Sequence, residues 1–218
     1  MNTIVVIALA VALLCGLLFA EKEENLKGVL LTKPFLSGLF IAAALAQPHN
    51  AEPYFHLILT GLILCFMGDI CLAFFFNRKV FTAGLVFFLT GHISYTLAFF
   101  ITAGITAGTW VSVAAVPVIS SYVFTRLRPH LGSMMGPVIA YIAIISIMVV
   151  GAASLAARQD FSFQARALVI VGSVFFYASD LFVARHRFVK KSIFNRYAGL
   201  PMYYAAQFML AFSAGMIP

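Results

Sequence analysis

Charge is scarce in this sequence. Asp, Glu, Lys and Arg make up 10% of its 218 residues, where soluble domains carry roughly 25%, and 63% are hydrophobic with a mean hydropathy of +1.03. So little charge cannot solvate a separate aqueous domain, and any chemistry has to sit among membrane-embedded helices or at their ends. Cysteine is scarce as well. Cys15, Cys65 and Cys71 fall inside apolar runs, without CxxC spacing and without Cys or His companions at metal-ligand intervals, so they read as small packing residues. There is no HExxH cluster and no G-x-S-x-G elbow, which argues against a zinc hydrolase and a serine hydrolase alike. Strict alternation over ~10-residue stretches is missing too, which argues against an outer-membrane barrel. No positive n-region or A-x-A site precedes Glu21, so the first segment is expected to stay as a helix.

What the sequence does have is long apolar runs between short polar breaks. They predict an all-α, polytopic membrane protein, a single domain over 1–218, with about eight transmembrane helices near 3–20, 29–46, 54–76, 80–103, 109–125, 136–156, 165–185 and 197–217. With eight spans, alternate loops share a side. Lys22, Lys27, Arg78, Lys79, Arg126, Arg128, Arg185, Arg187, Lys190, Lys191 and Arg196 then fall together, and Arg158 and Arg166 fall opposite. By the positive-inside rule the first group is cytoplasmic and both termini lie outside, as expected for a bacterial inner-membrane protein. The 14 basic residues are topology signals in short loops, not a nucleic-acid-binding arm.

The two halves also resemble each other. Gly61 precedes Asp69 by the interval at which Gly172 precedes Asp180, and Gly84 precedes His92 as Gly199 precedes Gln207. An even number of helices separates the partners, so the expectation is a parallel four-plus-four repeat.

Ionisable residues inside the spans carry most of the functional information, since each costs ~2.5–3.5 kcal/mol at mid-membrane. They are Lys33, Asp69, His92 and Asp180, with His56 nearer an end. Asp69 and Asp180 each fall shortly before the cytoplasmic end of a helix, and Lys33 enters about one turn from the same side. His92 and Gln207 lie nearer the middle, with Tyr203 and Tyr204 between. At a rise of ~1.5 Å per residue the set spans ~10–12 Å, the depth of a small-molecule pocket. Gly61, Cys65, Asp69 and Leu72 form one small-sided stripe, and His92 and Tyr95 share a face at i, i+3. Small-residue faces of this kind permit tight monomer packing or dimerisation.

Each polar residue also has a plainer reading. Lys33 precedes Pro34 near the surface and could be a snorkelling anchor or the partner of one aspartate in a structural ion pair. His92 could be a buried neutral ring, and Arg185 and His186 interfacial anchors. Two neighbouring carboxyls buried in a membrane are harder to explain as packing. Desolvation and repulsion disfavour the charged form, so such a pair divides into an acid and a base, the arrangement that glycoside hydrolysis uses around an oxocarbenium-like transition state. That chemistry calls for no metal and no cofactor.

Several motifs together carry a family resemblance. Thr32-Lys33-Pro34, Gly68-Asp69 within GLILCFMGDICLAFF, Gly91-His92 with Tyr95, Ser179-Asp180 within FFYASDLFVARHRF, and Tyr203-Tyr204 to Gln207 within PMYYAAQ occur in order over nearly the whole chain. In this the chain resembles the lysoplasmalogenase, or YhhN-like, membrane proteins. The resemblance implies eight helices, cleavage of the vinyl-ether bond of a lysophospholipid to a fatty aldehyde and a glycerophospho-ethanolamine or -choline, and Asp69 and Asp180 as catalytic candidates. On that expectation one aspartic acid protonates the vinyl ether and the other orients water, with the two roles unassigned. Lys33 would meet the phosphate, and His92, Tyr95, Tyr203, Tyr204 and Gln207 would hold water or the glycerol hydroxyl. The expected partners are the lysophospholipid and membrane lipids, with the site in the cytoplasmic half. Rival readings are a proton-coupled transporter of a small amphiphile and a hydrolase of another lysolipid.

Overall fold

The computed structural model describes residues 2–48, 52–74 and 77–217. Eight long helices run in chain order: α1 (Thr3–Lys22), α2 (Leu26–Leu45), α3 (Glu52–Ala73), α4 (Arg78–Ala103), α5 (Ala107–Leu127), α6 (Met135–Ala156), α7 (Phe163–Ala184) and α8 (Ile193–Ser213). No strand occurs among the described residues. Helix starts follow local chemistry. The side chains of Asn25, Asn77 and Ser162 accept hydrogen bonds from backbone N–H groups in the first turns of α2, α4 and α7, supplying partners that the helix itself cannot. Gly104, at φ +65°, ends α4, a conformation that costs glycine nothing. This settles the boundary between the fourth and fifth helices, where composition alone offered little.

Seven of the eight helices are long and apolar enough to cross a membrane. The exception is α8, expected from the sequence to be a span like the others. Its apolar content is diluted by Asn195, Arg196, Tyr203, Tyr204 and Gln207, four of which are buried against neighbouring helices. Two further differences concern helix ends. The third helix was predicted to reach 76, but residues 75 and 76 lie outside the described set. The seventh does not stop at 185: it widens into a π-helical turn, Arg185–Val189, a rare geometry that recurs beside functional sites.

Contacts between loops show which ends lie together. At one end Lys191 pairs with Glu24 at 2.7 Å and Arg196 with Glu21 at 3.3 Å, tying the α7–α8 connection to the α1–α2 connection. At the other end Tyr54 hydrogen-bonds Ser213 at 2.7 Å, and the Arg158 guanidinium donates to the Ala103 carbonyl at 3.3 Å. The strongly basic connections thus share one end of the bundle, opposite Arg158.

Glycine controls how closely the central helices approach. A side chain at Gly61 would strike the Tyr95 ring, and one at Gly68 would come within 2.7 Å of the Phe88 ring, so α3 and α4 pack with aromatic side chains laid directly over backbone. In the other half Gly172 meets α8 at Met209, and Gly199 meets α7 at Phe182. α1 and α5 are peripheral, with mostly exposed apolar side chains such as Ile4, Phe19, Trp110 and Val118. Cys15 belongs to this exposed surface, so of the three cysteines expected to pack inside, only Cys65 is fully buried.

Candidate functional site

Asp69 and Asp180 each lie one turn before the end of their α-helix, at the basic end of the bundle. Both line a single open cavity, together with Lys33, Tyr141 and Tyr203. Their surroundings differ sharply.

Asp69 is 2% exposed and fully partnered. The Lys33 ammonium lies 3.1 Å from Oδ1, and Oδ2 accepts from Ser37 at 2.7 Å and from Tyr203 at 2.6 Å. Ser37 is one turn along α2 from Lys33, so one face of that helix supplies both a cation and a hydroxyl. Tyr203 follows Pro201 on α8, where the missing N–H and the ring disturb the helix before the hydroxyl-bearing turn. Lys33 does not snorkel: only 4% of its side chain is exposed, and its charge is spent on Asp69. The cation on one oxygen and the two hydroxyl donors on the other satisfy both oxygens of this buried carboxyl.

Asp180 has no lysine or arginine within ion-pair distance among the described residues. Its Oδ2 accepts from the Tyr141 hydroxyl at 2.7 Å, and His92 Nε2 stands 3.8 Å from the same oxygen, too far for a hydrogen bond. Its side chain is 18% exposed, the most open of these groups. His92 itself is 1% exposed, and neither ring nitrogen has a hydrogen-bond partner. The ring is caged by Phe176 at 4.5 Å and Tyr141 at 5.3 Å between centroids. Phe176 also meets Tyr203 edge-on at 5.3 Å, so one aromatic ring connects the surroundings of the two carboxylates.

The predicted residues thus divide. Lys33, Asp69, Asp180 and Tyr203 come together on the cavity wall. His92, Tyr95, Tyr204 and Gln207 are buried behind it. Gln207 donates to the Tyr203 hydroxyl at 3.0 Å and accepts from Tyr95 at 2.8 Å, while Tyr204 lies 3.2 Å from the Ser37 hydroxyl. Gln207 and Tyr204 orient the hydroxyls that hold Asp69; none of the four is among the residues lining the cavity. Ser37 and Tyr141 were not foreseen from the sequence. Tyr141 had a signal, as the one aromatic residue of α6, and Ser37 had only its i+4 spacing from Lys33. His186, read as an interfacial anchor, lines the mouth of the cavity with Asn195 and Arg196.

The YhhN family model matches residues 28–214. The chain belongs to the YhhN family. This family includes lysoplasmalogenase, and the YhhN match begins after α1 and contains every cavity-lining residue. No curated protein and no solved structure matches the chain.

Proposed function

We propose that this chain is a membrane-embedded, metal-independent ether hydrolase that cleaves the vinyl-ether bond of lysoplasmalogen to a fatty aldehyde and a glycerophospho-ethanolamine or -choline. The observation that carries the reading is the pair of carboxyls lining one cavity in different environments, one matched by a lysine and two hydroxyls, the other, among the described residues, by a tyrosine hydroxyl. Family membership supports it.

Environments that differ in this way divide the labour. Asp180, which has no lysine or arginine beside it among the described residues and is the more open of the two, is assigned as the general acid. It protonates the β-carbon of the vinyl ether, and the neighbouring carbon becomes an oxocarbenium ion. Asp69, which lines the same cavity, stabilises that positive charge. Water adds to the cation and gives its proton to the Asp180 carboxylate, restoring the acid. The hemiacetal then breaks its C–O bond to release aldehyde and alcohol.

The experiment is aldehyde release from lysoplasmalogen by purified protein, beside a saturated ether lysolipid. We expect aldehyde from the vinyl ether alone, and none from Asp180→Asn folded to wild-type stability. No aldehyde from folded wild-type protein overturns the reading and favours the carrier or another lysolipid.

We also infer that the basic end is cytoplasmic, with both termini outside and the site in the cytoplasmic half of a bacterial inner membrane. The clustering of the basic connections supports this. A parallel four-plus-four repeat is supported by the matching parts that Gly61 and Gly172 play between helix pairs. A cysteine introduced at Lys191 should react with an impermeant reagent only after the cytoplasmic side is opened, and one at Gln159 without opening.

A further inference from the structure

The hydrophobic interior is not continuous. One large cluster runs through most of the bundle, and a second, separate cluster consists of Leu127, Leu131 and Val138 with Val123, Ile142, Ala184 and Phe188 packed around them. The cavity lies where the two fail to meet: Val138, Ile142 and Ala184 of the small cluster line it on one side, and Phe88, Ile145 and Leu200 of the large one line it on the other. The gap has two lobes. The polar lobe, from α2, α3 and α8, carries Lys33, Asp69 and Tyr203. The other lobe, from α5, α6 and α7, is mostly apolar, with Tyr177, Ser179 and Phe182 among its aliphatic side chains, and it carries Asp180 and Tyr141. On α7 it runs from Asp180 to Ala184, ~6 Å of helix, and Phe188 on the π-helical turn continues it.

We propose that the aliphatic lobe is the binding site for a single unbranched hydrocarbon chain, whose first carbons lie against Asp180 and whose length bridges the two hydrophobic clusters. Three features point to this occupant. The lobe is bounded mainly by branched aliphatic side chains, and from Leu181 to Ala184 its α7 lining carries no charged group. It is continuous with the carboxylates, so one amphiphile can place its chain here and its polar linkage at the acid. Met134 and Met135, packed against the small cluster at its α5–α6 end, can repack around chains of different length. The proposal rests on the ether-hydrolase reading only for the identity of the polar part.

The test uses the full chain in lipid nanodiscs and measures binding of saturated ether lysolipids of graded chain length, which cannot be cleaved at a vinyl group. Affinity should rise about fourfold per methylene until the lobe is full and then level off. Val138→Phe, which fills the lobe, should bring the plateau to a shorter chain while leaving the shortest lipid's affinity within about twofold. Ile142→Ala, which enlarges it, should move the plateau to a longer chain, and provides the same test if Val138→Phe does not fold. Plateaus unmoved in both variants, or affinities shifted equally at every length, overturn the proposal. Because binding is read without turnover, a moved plateau with no aldehyde from vinyl ethers would retain the chain site and reject the ether-hydrolase reading.

Discussion

Replacing Lys33 with methionine leaves the Asp69 carboxylate buried among two hydroxyl donors with no cation, and replacing Asp69 with asparagine strands the lysine instead. At 3.1 Å and an effective dielectric of ~20 the direct attraction is on the order of 5 kcal/mol, much of it offset by the cost of removing two charges from water. Losing one partner forfeits the attraction and keeps the other's desolvation, so each single substitution should destabilise by about 3–5 kcal/mol. The double variant Lys33→Met/Asp69→Asn removes both charges, and its asparagine oxygen can still accept from Ser37 and Tyr203. It should therefore be destabilised far less than the sum of the singles, with a coupling of about 3 kcal/mol. Reversible unfolding in mixed micelles of the four proteins measures this directly. A Lys33→Met cost under about 1 kcal/mol, or strict additivity, would refute the argument that this is a buried pair whose members depend on each other. Aldehyde release by the double variant should remain at background, since recovery of stability does not restore the anion beside the reacting carbon.

Other expectations follow from the same geometry. Tyr141→Phe removes the hydroxyl on Asp180 at 2.7 Å and should lower turnover by about 10–100-fold with a stability change of about 1 kcal/mol or less, read by steady-state kinetics beside a thermal melt. His92→Phe removes two nitrogens that have no hydrogen-bond partner, so the melt should not fall; turnover should drop about tenfold if the ring closes on Asp180 with substrate bound, and unchanged turnover would confine His92 to packing. Gly68→Val should cost about 1–3 kcal/mol, because its side chain meets the Phe88 ring at 2.7 Å or less, and should also slow turnover by displacing that cavity wall.

Much of the helical layout was legible because its causes are local. Long apolar runs, Asn and Ser caps, and charged or turn-rich breaks act within one turn of the residues they affect, and most predicted ends fall within a few residues of those observed. α8 is the informative exception. It carries Tyr203, Tyr204 and Gln207, so the residues that make it useful are those that lower its apolar content. The seven other helices face lipid or core with little polar interruption. The site was legible in outline for a related reason: an ionisable group in an apolar run is expensive enough to stand out. Groups that cost little, such as the Ser37 and Tyr141 hydroxyls, carry no such signal.

Sequence alone determined the class of the molecule, an all-helical membrane protein with its basic loops gathered on alternate connections, because hydropathy and charge act residue by residue. It also singled out Lys33, Asp69, His92 and Asp180. Tertiary structure decided what those residues are to one another. Lys33 joins Asp69 and not Asp180; Tyr141, from a helix with no ionisable residue, serves Asp180; and His92, Tyr95, Tyr204 and Gln207 stand behind the wall instead of on it. Such pairings join positions far apart in the chain and depend on angstrom-scale helix approach, here permitted by glycines beneath aromatic rings, so no local pattern could reveal them. The gap between two hydrophobic clusters is of the same kind, being a property of how packed surfaces fail to meet.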